Sequence, residues 1–174
     1  MNWTSFLKSE VEDAYRMALG LMKMVEEDSL GWKPATGDNW MTTGQLLKHM
    51  VASCGACCKG VVTGDWGVPP EDMPEDEASM LPPAEKLPTV ASVNEAIQAL
   101  EADKLVALAM IEEVGEDGLA TRELTLPWGS SGTIGKHLLD MIYHLNNHKS
   151  QLFYYLKLQG KPVNTHHMYG MPTS

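Results

Sequence analysis

The segment from Thr133 to Gln159 constrains the fold most. Ile134, Leu138, Met141, Leu145, Leu152 and Tyr155 mark one side of it at helical spacing, while Asn146, Asn147 and Lys149 fall on the other. Gly160 stands where a helix C′ residue belongs, and Pro162 forbids continuation. Such a helix is about 40 Å long at 1.5 Å per residue, and its apolar stripe must be covered by other elements.

Three more segments share the period. From about Thr4 to Glu27, Leu7, Val11, Ala14, Ala18, Leu21 and Val25 form a stripe, and acidic residues with Lys8, Arg16 and Lys23 fill the other face. A second helix starts at TTGQ, where Thr42 and Gln45 have capping-box spacing. Its stripe runs through Leu46, His49 or Met50, Ser53, Cys57 and Val61, and Gly64 ends it. A third begins at a second capping box, Ser92 and Glu95. It carries Val93, Ile97, Leu100, Ala107 or Leu108, Ile111 and Val114, and closes at Gly115 and Gly118. Residues 121–128 (TRELTLPW) alternate enough for a short extended segment, and GSSGT (129–133) is a turn into the last helix. No sheet is expected, and the tail from Lys161 is polar and short.

Residues 64–91 differ in kind: six prolines and an acidic run forbid a regular helix. So long a connection needs a reason inside a compact domain, and a crossover along the length of a bundle is one. With it, helices two and three run parallel. The expectation is an all-α fold, a four-helix bundle in up-down-down-up order, with residues 1–174 as one domain.

The net charge of −10 repels phosphate backbones and anionic bilayers, so neither nucleic acid nor membrane is an expected partner. No apolar run approaches the roughly 20 residues that span a bilayer, and the start MNWTSFLKSE has no signal-peptide character. Cys54, Cys57 and Cys58 are an odd, local cluster, a poor disulfide framework that fits a reducing compartment. A cytoplasmic location is the expectation. The single C-x-x-C is a weak zinc or redox signal, and ASCGACCKG reads as small residues for close helix packing.

His144 and His148 are four apart, so they share a face of the last helix about 40° apart in direction. That face lies on or beside the buried side, where two imidazoles leave several polar atoms to satisfy. The H-x-x-x-H spacing also lets two imidazole nitrogens meet one ion. His49 sits on the core stripe of helix two. If helices two and four are antiparallel, it lies at a similar height, which makes His49, His144 and His148 the candidate metal ligands. His137, two turns deeper, reads as a core or rim histidine, and His166 and His167 as solvated tail residues.

These residues resemble the DinB-like family, also called the DinB/YfiT superfamily. The resemblance lies in TTGQLLKHMVAS and in LLDMIYHLNNHKSQLFYYLKLQGKPV. The family places one metal-binding histidine in the second helix and an H-x-x-x-H pair in the fourth, which map to His49, His144 and His148. The resemblance implies a four-helix bundle in up-down-down-up order, a divalent metal ion, zinc or nickel, and a homodimer. The family includes thiol-dependent S-transferases and a mycothiol-dependent isomerase. The long acidic loop 64–91 and the extra His137 depart from its pattern and leave the substrate open.

Two functions follow as expectations. In the first, three neutral imidazoles leave an open coordination position, and the chain is a metal-dependent enzyme that transfers a small thiol or hydrolyses a small-molecule substrate. Gln151, one turn after His148, stands behind the metal or touches substrate, and Trp40 and Trp128 wall the pocket or serve as ordinary core aromatics. No acid–base residue stands out. In the second, the chain is a non-catalytic metal- or ligand-binding bundle with a structural or stress-related role.

Overall fold

A computed structural model describes residues 2–67 and 82–172 of the chain. The first helix, α1 (Trp3–Met22), starts at Asn2, whose side chain accepts from the Ser5 amide at 2.8 Å. Two more of its free amides, those of Trp3 and Thr4, donate to the Glu116 carboxylate at 2.9 Å each, a negative charge at the positive end of the helix. α2 (Thr43–Met50) starts on the expected capping box. Thr42 accepts from the Gln45 amide at 3.2 Å, and Gln45 accepts from the Thr42 amide at 2.8 Å.

The expected second helix does not run unbroken to Gly64. It stops at Met50 and restarts as α3 (Gly55–Thr63), which ends at Gly64 with φ +77°. Across the break, Ala52 and Ser53 form tight bonds to the carbonyls three residues back. The cause is Asp103, buried on a neighbouring helix. Its carboxylate accepts from the Gly55 and Ala56 amides at 2.8 Å each and from the Tyr15 hydroxyl at 2.6 Å. Gly55 is required for this approach, because a Cβ there would collide with the Asp103 backbone. Close packing of small residues is therefore real at Gly55, and also at Gly60 beneath the Trp66 ring.

Asp103 belongs to α4 (Val93–Thr121), capped by Ser92, which accepts from the Glu95 amide at 3.0 Å. The expected capping box is half made: the Glu95 carboxylate takes the Ala91 amide, one residue further back. Gly115, with φ +68°, breaks the helical path inside α4 where a stop was expected, and a further turn follows it. Contrary to the expectation of no sheet, strands β1 (Glu123–Thr125) and β2 (Ser131–Thr133) pair antiparallel, Leu124 opposite Gly132. Thr133 then caps α5 (Ile134–Leu158), which ends before Gly160 at φ +79°. A short α6 (Thr165–Met168) lies in the tail and touches α1.

Among the described residues the fold is thus mainly helical, with six helices and one two-stranded sheet. α1 packs on α4 and α5, α3 on α4 and α5, and α2 on α5 and α4, around a core that includes Leu7, Leu46, Leu100, Ile111, Leu138 and Leu152. Most of the expected crossover, residues 68–81, lies outside the described residues. Its returning end is described. A 3-10 turn at Ala84–Lys86 is tied to α2 by Gln45, whose amide nitrogen donates to the Ala84 and Leu87 carbonyls at 2.8 and 2.9 Å.

Candidate metal centre

α5 presents His144 and His148 one turn apart, and α2 brings His49 against them. The His49 ring lies 5.1 Å from His144 and 4.3 Å from His148, and His144 lies 4.8 Å from His148, centre to centre. One nitrogen from each falls within 4.8 Å of the others. These three form the one group of metal-capable side chains among the described residues.

One hydrogen bond fixes the tautomer of His148. His148 Nδ1 lies 3.1 Å from Gln151 Oε1, an acceptor, so Nδ1 carries the proton and Nε2 is free. His144 packs its ring against both of the other two. Its Nε2 lies 3.2 Å from His49 Nε2, one of the two donating to the other according to tautomer. His148 thus holds a bare Nε2, and of the His49–His144 pair one Nε2 is bare and the other must give up its proton for all three to ligate through Nε2.

All three imidazoles are half-buried, and burial lowers their pKa. His49 is pushed down to about 4, by desolvation first and then by His148 and His144. His144 and His148 are lowered by desolvation, opposed by the Ser53 backbone and by Gln151 respectively. At neutral pH the cluster is therefore three uncharged donors, the form a divalent ion takes.

The cluster lies in a cavity of about 490 Å³, walled by Met41, Pro82, Ala84 and Leu87, with Asn39 at its edge. Gln151 links site to wall: its amide nitrogen approaches the Tyr155 hydroxyl at 3.4 Å, and that hydroxyl donates to the Met41 carbonyl at 2.9 Å.

The other sequence candidates fall elsewhere. His137 is fully buried, with Nε2 on the Leu124 carbonyl at 3.1 Å, where it pins the hairpin, and its Nδ1 makes no hydrogen bond among the described residues but lies 3.9 Å from the Asp140 carboxylate. His167 bonds Asn164 at the start of α6, and His166 lies beside it, both outside the cluster. Trp40 stacks edge-on against Tyr155 at 6.2 Å and Trp128 against Trp66 at 5.4 Å, and neither lines the cavity. The three cysteines are unpaired with one another, and burial pushes Cys57 up to about 11, far from a reactive thiolate. The sequence placed Tyr155 on an apolar stripe without its link to the site, and Asp103 had no expected role. For Asp103 the signal was a carboxylate on the buried stripe between Leu100 and Ala107.

A sequence model of the DinB superfamily matches residues 10–152. No curated protein matches the chain. A crystal structure of a DinB-family member from Exiguobacterium sibiricum is 18% identical, with a TM-score of 0.66 over 96% of this chain and 98% of that one. A DinB-like protein from Bacillus subtilis, yjoA, is 19% identical, with a TM-score of 0.64 over 90% of this chain and 94% of that one.

Proposed function

The chain belongs to the DinB superfamily, and from that premise we propose that it is a metal-dependent enzyme in which His49, His144 and His148 hold a divalent ion, zinc or nickel. The observation that carries this reading is the convergence of three half-buried, uncharged imidazoles, with the Nε2 of His148 already bare. When bound, the ion supplies Lewis acidity to an oxygen or sulfur donor at a position the three histidines leave open.

The chain's own residues do the remaining work. Gln151 keeps the His148 proton on Nδ1. Met41, Ala84 and Leu87 give the space over the rings apolar walls. The reaction is transfer of a small thiol or hydrolysis of a small-molecule substrate. The three unpaired cysteines favour the cytoplasm, and the assembly is a homodimer. The architecture belongs to the same reading: α2 and α3 count as one interrupted helix of a four-helix bundle, in up-down-down-up order, with residues 64–91 as the crossover between helices two and three.

Metal analysis of untagged protein tests the site. About one divalent ion per chain is expected, lost in His144→Ala. Metal-free protein, and no loss of affinity in that variant, would sink the proposal. Chelation then separates the roles: a melting temperature that barely moves supports a functional ion, and unfolding supports a structural, non-catalytic one.

A further inference from the structure

We propose that the cavity over the three histidines takes a small molecule with a single metal-binding head and an uncharged, apolar body of several carbons. This rests on the metal reading above and says what the substrate looks like beyond the atom that meets the ion.

The walls carry the argument. Among the described residues, Met41, Pro82, Ala84 and Leu87 are all apolar. The polar residue at the edge, Asn39, has its Oδ1 engaged by the Ala84 amide at 2.8 Å. A smaller bay of about 220 Å³ opens on the other side of Leu87 and shares His49. Its polar groups are also answered. Gln45 uses its oxygen on the Thr42 amide and its nitrogen on two carbonyls. Lys48 faces the Glu95 carboxylate at 4.0 Å. Among the described residues, the walls of the larger cavity thus bring no charged side chain to a ligand body, and the Asn39 amide nitrogen is the polar group they offer it. A carboxylate carried to these apolar walls leaves water and meets no cation among the described lining residues, which weakens binding. A methylene leaves water at a gain of about fourfold in affinity. The volume of about 490 Å³ suits a body of several carbons.

The test uses the cobalt(II)-substituted protein, with thiols as probes because a sulfur donor on cobalt adds its own near-ultraviolet band. Dissociation constants are read for 1-propanethiol, 1-butanethiol, 1-pentanethiol, 2-mercaptoethanol and 3-mercaptopropionate. The expected result is a gain of two- to fourfold per methylene along the alkyl series, with 3-mercaptopropionate at least tenfold weaker than 1-butanethiol. Leu87→Ser should flatten the series and leave 2-mercaptoethanol within twofold. Met41→Ser serves the same end if circular dichroism shows that the first variant is unfolded. A flat series, tighter binding of the carboxylate, or visible cobalt bands with no sulfur band for any thiol overturns this inference and leaves the three-histidine site standing. Absence of the cobalt bands themselves overturns the metal reading beneath it.

Discussion

Asp103→Ala is expected to destabilise the protein by about 3 kcal/mol, although the residue lies outside the metal cluster. Its carboxylate accepts from Tyr15, Gly55 and Ala56 at 2.6–2.8 Å in a buried position. A buried donor stripped of its partner costs about 1–3 kcal/mol. Three such losses do not simply add. The Gly55 amide keeps the Tyr15 hydroxyl as a second acceptor at 3.1 Å. Desolvation also works against the charge, pushing the Asp103 carboxyl pKa up while the hydrogen bonds pull it back. One orphaned amide and one orphaned hydroxyl, at about 1.5 kcal/mol each because removing the carboxylate also relieves its desolvation, give about 3 kcal/mol. Urea denaturation of metal-free protein measures it, with Tyr15→Phe expected near 1 kcal/mol. Because Tyr15 and Asp103 touch, the double variant should fall short of the sum by at least about 0.5 kcal/mol. An Asp103→Ala protein within about 0.5 kcal/mol of the parent, or strict additivity, would refute the view that this carboxylate sets the break between α2 and α3.

Two further outcomes concern the histidines. His49 takes a proton near pH 6.5 in the unfolded chain and near about 4 in the fold. The unfolded state therefore binds more protons between these values, so the stability is fully present above pH 6.5 and is lost as pH falls towards 4. His144 and His148 move in the same direction. Since the His49 ring is partly open to solvent, its share is discounted to about 1–2 kcal/mol. Denaturation of metal-free protein at pH 7 and pH 4.5 reads it against His49→Gln as reference, and equal pH slopes for both proteins count against it. Gln151→Leu is expected to lower metal affinity about 10- to 100-fold with little change in stability. Competition with a chromophoric chelator measures this, and unchanged affinity means that the Gln151 contact does not set the His148 tautomer.

What could be read from the sequence is what acts within a turn or two. The cap at Thr42, the stop at Gly160 and the shared face of His144 and His148 depend on neighbours in the chain, and the structure holds all three. His49 was placed by matching heights on two helices, which worked because both carry a regular stripe. The break after Met50 could not be read locally, because its cause, Asp103, is 48 positions from Gly55. The Glu95 carboxylate misses its expected partner by one residue for a related reason: the entry path of the chain, not the spacing, decides which amide it reaches. The hairpin has three residues per strand and little burial, so its alternation is too short to announce it.

The candidate ligands come from two distant parts of the chain: His49 and His144 are 95 positions apart. An ion held by all three is therefore a cross-link that closes a loop of that size, a constraint on the order of 4 kcal/mol of chain entropy by simple loop-closure scaling. An isolated α5 would offer only the adjacent pair, so the third bond forms only once α2 has docked. Ion affinity thereby becomes a measure of tertiary order. A substitution far from the rings that loosens the seating of α2 on α5 should register first as weaker metal retention, before any loss of helix is seen.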